Sequence, residues 1–412
     1  MSNLILPTLS PENYPFDLAL MPQPAYLVGG AVRDAILGKK RDYLDLDFIL
    51  PIDAVKTAKH IAAHYQAGFV LLDAQRQIAR VVFPNATVDI AQQEGDIETD
   101  LRRRDFTVNA LAYNPHTQNI IDPLQGYEDI SKRVLRMVSP KNLEDDPLRL
   151  MRGYRQAAQL GFDIDNVTQA TIIKLAPHLT KVAPERVRTE LGYMLGNSAG
   201  TVWIVKAIED GLLKPFFKNM SQEGCATLLK VDKIAAELSE TWHQVGVELN
   251  RYVRDTIKTT WLGIVKLACM VDSKPEIAEI ELTELTYSRA EIKAVTTALK
   301  LFPQLHNLQM PLREQYFFFQ EAGFVFPATC ILALAHDNLV GGIAPLIARY
   351  LNPDDPVAHP TLLLSGKELI IALNLPASPL VGNLLTEIAV AQVEGRVSTQ
   401  EEAIEYARQM IS

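Results

Sequence analysis

Two aspartates at alternating positions, in Leu44-Asp45-Leu46-Asp47-Phe48, offer the plainest chemistry in this chain. Residues two apart on a strand share a face, so both carboxylates point one way while Leu44, Leu46 and Phe48 pack inward. Paired carboxylates repel unless a cation lies between them. Mg2+ bound through one or two carboxylates plus substrate phosphates meets that need. Asp89, in Thr87-Val-Asp89-Ile-Ala91, sits on a later strand and is a candidate third carboxylate; an ordinary edge-strand acid is the alternative.

Three further groups surround this pair in sequence. Gly29-Gly30-Ala-Val-Arg33-Asp34 runs from an apolar strand into a helix ending near Leu37-Gly38. Glycines admit an anion close to the backbone, and Arg33 adds a charged donor one turn in. Arg102-Arg103-Arg104-Asp105-Phe106-Thr107-Val-Asn109 follows. Adjacent arginines repel, which favours an anion nearby, and Asp105 and Asn109, four apart, would share a helix face and offer an acceptor and an amide to a ribose. Last comes Asp145-Asp146-Pro147-Leu-Arg149, continuing to Arg152 and Arg155. Asp146 before Pro147 has the form of a helix N-cap, with Gly161 ending the helix. Leu148, Leu150, Met151, Tyr154, Ala157 and Ala158 supply its buried stripes, and the three arginines advance along an adjoining flank. An acid and an arginine one turn apart can face a base edge.

The elements that must position these groups divide the chain. Residues 1–138 read as mixed α/β, with a helix over Ile52–Gln66 and strands around Val81–Phe83 and Thr87–Ile90. Beyond about Asn142 strand signals fade and helices are expected at Gln169–Leu175, Pro184–Leu195, Val202–Gly211 and Cys225–Leu238, with a last one opened by a capping box at Ser398–Glu401. The fold class is α+β, an α/β head (1–138) followed by an all-helical neck (139–200), body (201–351) and tail (352–412). Of the 412 residues, 48% are hydrophobic, and 40 basic against 49 acidic residues give a net charge of −9. That excludes a protein coated in cations but not a local basic stripe on a nucleic-acid backbone. No run of 18 apolar residues and no basic leader are evident, so neither membrane span nor signal peptide is expected. Three scattered cysteines suit buried thiols in a reducing cytoplasm. Gly366-Lys367 lacks the earlier glycine of a P-loop, and His336-Asp337 reads as a surface pair.

Taken in order, GGAVRD (29–34), DLD (45–47), RRDFTVNA (103–110), DPLQGYEDI (122–130), DDPLRLMR (145–152) and PERVRTEL (184–191) resemble the class II tRNA nucleotidyltransferase and bacterial poly(A) polymerase family. The resemblance implies a polymerase β-like nucleotidyltransferase head and transfer of nucleotides to RNA 3′ ends. By position, Gly29, Gly30 and Arg33 would hold a triphosphate, and Asp45 and Asp47 would bind Mg2+. Arg103 or Arg104 with Asp105 would contact the nucleotide and its 2′-hydroxyl. Asp146 and Arg149 would pair with the incoming base, with Arg152 and Arg155 behind them. Phosphoryl transfer needs positioning and charge neutralisation more than covalent protein chemistry, so metals and arginines suffice.

Two departures from the family pattern carry information. Asp145-Asp146 stands where the family usually has Glu-Asp. Only thirteen residues separate Asp89 from Arg103, where members that build a whole CCA end carry a longer, flexible loop. The short segment resembles the CC-adding subtype. Expected partners are a tRNA 3′ end with CTP, and ATP if the full CCA is built; Lys174, Lys181, Arg186 and Arg188 are candidate RNA contacts. A poly(A) polymerase would favour a basic tail, yet residues 359–412 carry more acidic than basic side chains. The intact aspartate pair speaks against a non-catalytic RNA-binding relative.

Overall fold

Apolar alternation in the N-terminal part condenses into one seven-stranded sheet. The computed structural model describes residues 7–39, 42–254, 257–307, 309–337 and 340–411. Residues 1–6, part of the stretch in which no leader was recognised, lie outside them. The head comprises β1 (Tyr26–Val28), α1 (Gly30–Ile36), β2 (Leu44–Leu50), α2 (Ala54–Tyr65), β3 (Gly68–Asp73), β4 (Ile78–Phe83), β5 (Ala86–Gln92), α3 (Ile97–Arg102), β6 (Ala112–Asn114), β7 (Asn119–Ile121) and α4 (Gly126–Lys132). Strand order is β3-β4-β5-β2-β1-β6-β7, with β2 and β5 parallel.

The two faces of this sheet have different fates. Helix α2 packs on β4 and β5, burying its own Ala58, Ile61 and Ala62 and the strand residues Ala79, Val81, Val88 and Ile90. The register sets Asp47 beside Asp89 and Asp89 beside Arg80, and likewise Asp45 beside Thr87 and Thr87 beside Val82. These alternates therefore share the opposite face. Helix α3 closes part of that face, where Leu101 joins Val28, Ile49, Ala110 and Ala112 in a small core.

The chain continues through β8 (Val134–Leu135), α5 (Pro140–Asp145), α6 (Leu148–Leu160), β9 (Asp163–Ile164), α7 (Asn166–Leu175), α8 (Pro184–Leu195) and α9 (Gly200–Glu209). Leu148, Leu150, Met151, Tyr154, Ala157 and Ala158 of α6 are all buried, and Gly161 ends it in the left-handed region at φ 69°. Three expectations change here. The α5 turn, capped by Ser139, precedes Asp146, so Pro147 takes the cap position of α6 and Asp146 is left at the junction of two helices. The neck is not purely helical, because Val134–Leu135 pairs in parallel with Asp163–Ile164. Helix α9, placed in the body from sequence, packs on α6 and α8. The two compact units of the chain are Met1–Leu213 and Lys214–Ser412.

Among its described residues the second unit, taken by itself, is helical apart from a strand pair, Tyr252–Arg254 with Ile257–Thr260, which the sequence did not suggest. A long apolar stretch, Leu312–Asp337, is two helices parted near Gly323, and Phe326–Ala335 is buried throughout. Its apolarity serves a core. Lys266 is fully buried against Asp232 at 2.7 Å, and burial lowers its pKa. The last helix, Gln400–Ile411, is capped one residue later than expected. Thr399 accepts from the Glu402 amide, and the Glu402 carboxylate accepts from Ser398.

Candidate active site

β1 ends at a turn that only glycine suits. Gly29 has φ 72° and ψ −133°, where a Cβ is strained. That Cβ would also lie 3.5 Å from Nη1 of Arg104 and 3.9 Å from Oδ2 of Asp47. The turn thus brings the two-aspartate strand, the Arg104 guanidinium and the start of α1 together at one wall of a cleft of about 970 Å3.

Asp45 and Asp47 share the face expected of them. Asp45 is exposed and accepts from Thr87 Oγ1 at 2.8 Å. Burial, with the neighbouring carboxylates of Asp45 and Asp89, pushes the pKa of Asp47 up to about 6, although Arg104 and Arg80 oppose the shift. Asp89 is differently occupied. Arg80 grips both its oxygens, Nε to Oδ1 at 2.7 Å and Nη2 to Oδ2 at 2.8 Å. Among the described residues no cluster of three or more acidic, histidine or cysteine side chains converges on one point. The dyad of Asp45 and Asp47 stands as a two-carboxylate donor set.

Arg33 lines the cleft but is 9% exposed. Its guanidinium donates to Asp34 Oδ1 at 2.8 and 2.9 Å and to Asn109 Oδ1 at 2.6 Å. These bonds brace α1 against the RRDFTVNA segment. The arginine run is likewise neutralised from within. Arg102 pairs with Glu98, Arg103 with Glu94 and Asp100, and Arg104 with Asp100. The mutual repulsion of the arginines is met by acids of α3 and the residues before it, so it does not by itself call for an external anion.

Asp105 and Asn109 do not share an α-helix. Thr107–Asn109 is a single 3-10 turn, and Asn109 Nδ2 donates to Asp105 Oδ1 at 2.9 Å and to Gln156 Oε1 at 2.8 Å. Arg152 Nε donates to Asp105 Oδ2 at 2.9 Å. Burial acts to raise the Asp105 pKa, but the Arg152 charge and the hydrogen bonds from Asn109, Arg152 and the Phe106 amide hold it below the usual range. Asp105 is thus an ionised, buried hub joining α6 to the head.

The DPLQGYEDI stretch supports that hub from behind. Asp122 accepts from the amides of Gly126 and Tyr127 at 2.8 and 3.0 Å, and Asp129 accepts from Thr107 Oγ1 at 2.6 Å. A Cβ on Gly126 would sit 2.3 Å from the Thr107 carbonyl oxygen. Gly126→Ala therefore forces α4 off the Thr107–Asn109 turn. The expected result is a loss of about 2–3 kcal/mol in stability, as in other overpacked sites, read by urea unfolding. An unchanged midpoint would show that this contact yields without cost.

The reading end of the cleft is formed by α6 with α8. Asp146, Arg149, Arg152, Arg155, Gln156 and Arg186 line it. Arg149 Nη1 donates to the carbonyls of Arg103 and Asn142 at 2.8 and 3.1 Å, which aims the rest of its guanidinium. Arg155 is held by Glu190 of α8 and by Gln159. Arg186, expected on an RNA-facing surface, instead reaches the cleft and lies 3.3 Å from Asp146. Lys174 and Lys181 are exposed and Arg188 partly so. Sequence reasoning missed Arg80, Asp100, Asn142 and Gln156. Asp100, three and four residues before Arg103 and Arg104, was detectable from helical charge spacing; the others join the site through long-range packing.

A mixed sheet carrying a glycine turn and an aspartate pair, set beside an arginine-lined helix, defines a nucleotidyltransferase. Family comparison agrees. The Poly A polymerase head domain matches residues 25–136, the "Probable RNA and SrmB- binding site of polymerase A" matches 161–223, and tRNA nucleotidyltransferase domain 2 matches 222–407. The chain belongs to the tRNA nucleotidyltransferase family. It is 45% identical to a CC-adding tRNA nucleotidyltransferase of Synechocystis sp., covering 97% of this chain and 96% of that one. It is 32% identical to a CC-adding enzyme of Geobacter sulfurreducens, over 93% and 91%. The fold matches that of a Thermotoga maritima CCA-adding enzyme complexed with tRNA, with TM-score 0.71 and 22% identity over 94% and 92% of the two chains. Enzymes of this family generally use divalent metal ions.

Proposed function

We propose that this enzyme adds two cytidines from CTP to the 3′ end of tRNA, with Mg2+ and release of pyrophosphate, and leaves the terminal adenosine to another enzyme. The observation that carries the reading is the segment between Asp89 and Arg103. It is short and built: β5 ends at Gln92, Asp96 caps α3 through the Thr99 amide at 2.8 Å, and the fully buried Asp100 holds Arg103 and Arg104. No long loop remains to reshape the base pocket between two different nucleotides. The CC-adding activity named for the two relatives supports the same reading.

The residues present suit Mg2+. Two carboxylates on one face leave room for substrate phosphates in the coordination sphere, and burial, which raises the Asp47 pKa, leaves a carboxylate that a bound cation would stabilise. Asp45 and Asp47 would hold the ion, which when bound would neutralise phosphate charge and favour the ionised primer hydroxyl. The chain's own residues do the rest. Thr87 fixes Asp45, and Gly29 lets Arg104 stand beside Asp47. Asp146 accepts from the cytosine amino group while Arg149 donates to the ring nitrogen and carbonyl. Adenine has no carbonyl there to accept the second Arg149 bond. Asp105 and Arg152 keep α6 at the distance this pairing requires.

Primer extension tests the reading, with tRNA transcripts ending at the discriminator base, at C and at CC, and CTP and ATP supplied singly and together. The expected product is two added cytidines and no adenosine on the CC primer. Steady ATP addition to the CC primer would overturn CC specificity, and runs of ATP on any RNA would favour a poly(A) polymerase.

A further inference from the structure

The Arg80–Asp89 pair sits where the sequence offers a candidate third carboxylate or an ordinary edge-strand acid, and its geometry suits a different task. Asp89 is directly opposite Asp47 in the β2–β5 register, and Arg80 is directly opposite Asp89 on β4. Strands are spaced ~4.8 Å apart, so Arg80 stands about two spacings from Asp47 while its side chain reaches back toward the dyad. Asp89 accepts from Nε and Nη2 of Arg80. Nη1 makes no hydrogen bond among the described residues, and the arginine side chain is 39% exposed. A cation is thus held rigidly, with a donor turned outward, on the same sheet face as the dyad.

The surroundings are as telling. Past Arg80 this face carries Val82 and Val70, which are 38% and 45% exposed, whereas the opposite face of the same strands lies under α2. The large cleft, with α1 and the α6 arginines, approaches the dyad without including Thr87, Asp89, Arg80, Val82 or Val70. In phosphoryl transfer the attacking and leaving oxygens lie roughly in line across phosphorus. A nucleotide seated in the cleft therefore leaves the β5–β4–β3 side of the dyad for the attacking strand.

We propose that this open face is the platform for the 3′-terminal nucleotide of the primer RNA. Arg80 contacts the phosphate on that nucleotide's 5′ side while its 3′-hydroxyl lies at Asp45 and Asp47. Val70 and Val82 form an apolar floor for ribose and base. Asp89 is a positioning residue that fixes Arg80, not a ligand of the catalytic ion. The assignment rests on the nucleotidyltransferase reading of the cleft.

Steady-state kinetics on the full-length enzyme, with tRNA transcript and CTP varied separately, tests it. Arg80→Ala is expected to raise the primer KM about tenfold, to leave the CTP KM within twofold, and to lower the salt slope of primer binding by about one. Arg80→Lys should restore part of the primer KM. Asp89→Asn should raise the primer KM in the same way while kcat at saturating primer falls less than tenfold, and the double variant should be no worse than Arg80→Ala alone. Unchanged primer KM in Arg80→Ala overturns the platform. A thousandfold loss of kcat in Asp89→Asn with primer KM unchanged makes Asp89 a metal ligand and overturns the tether. Absence of any extension by the unsubstituted enzyme would instead remove the catalytic reading on which both rest.

Discussion

Asp47→Asn is expected to abolish nucleotide addition while making the metal-free protein more stable. The loss of activity follows from the donor set. With only Asp45 and Asp47 free on this face, replacing one carboxylate by an amide halves the charge that holds a divalent ion. A fall in kcat of three orders of magnitude or more corresponds to about 4 kcal/mol of transition-state stabilisation, within reach of a site built on charge neutralisation. The gain in stability follows from the raised pKa. A carboxyl whose folded pKa is about 6, above its value of 3.8 in the free residue, contributes stability that is complete below pH ~4. That contribution is lost as pH rises through 6. At pH 7.5 the ionised Asp47 therefore costs the fold about 2–3 kcal/mol, and the neutral amide removes that cost. Thermal unfolding in EDTA should show the variant several degrees above the unsubstituted enzyme at pH 7.5 and level with it near pH 4. Added Mg2+ should raise the midpoint of the unsubstituted enzyme alone. Equal midpoints at pH 7.5 would show that burial does not penalise the ionised Asp47. With Mg2+ limiting, protonation of Asp47 predicts that kcat/KM falls as the pH drops, at a lower pH the more Mg2+ is present, because ion and proton compete for one carboxylate.

The second large effect belongs to the buried hub. Arg152→Met removes the charge facing Asp105, which is 5% exposed and depends on that arginine to stay ionised. Breaking one side of a buried pair costs about 3–5 kcal/mol because the remaining charge is left uncompensated. The lower end applies here, since Arg152 is partly open to the cleft. Urea unfolding at pH 7.5 should register a loss of about 3 kcal/mol. Asp105→Asn combined with Arg152→Met should recover part of it, because the amide carries no charge to strand. A double variant as unstable as the sum of the singles would mean that the two residues act independently. The intact pair carries its own pH signature. Asp105 has a depressed pKa, so its contribution is present above pH ~4 and disappears as the pH falls through the folded value. Acid should therefore loosen α6 from the head.

The Gly126→Ala prediction concerns the same hub from the opposite side, and the three variants separate the functions within the cleft. Asp47 governs chemistry, and its ionised form weakens the metal-free fold rather than supporting it. Arg152 and Gly126 govern where α6 stands. A change at either of the latter should disturb CTP binding through displacement of Arg149 and Asp146 rather than through loss of a contact to nucleotide.

Local patterns determined much of this protein. Alternation around Asp45 and Asp47 set their common face, because side chains on a strand repeat every two residues whatever the strand pairs with. Helical spacing set the buried stripes of α6 and, through them, the flank that carries Arg149, Arg152 and Arg155. The length of the segment between Asp89 and Arg103 could be counted directly. Pairing could not. Asp89 reads as a free carboxylate until the β4–β5 register places Arg80 across from it, and Arg33 reads as a phosphate donor alone, whereas the fold also ties it to Asn109 from 76 residues away. The arginine run reads as a demand for an anion until α3 folds and offers Asp100. Arg186 reads as part of an open basic surface, and the packing of α8 on α6 sets it at the cleft beside Asp146. Each of these depends on which charge becomes the neighbour of which. Burial makes that choice costly to get wrong, because a charge withdrawn from water must be matched where the fold leaves it. Sequence therefore determined which groups were available for chemistry, and tertiary structure decided which of them remain free to perform it.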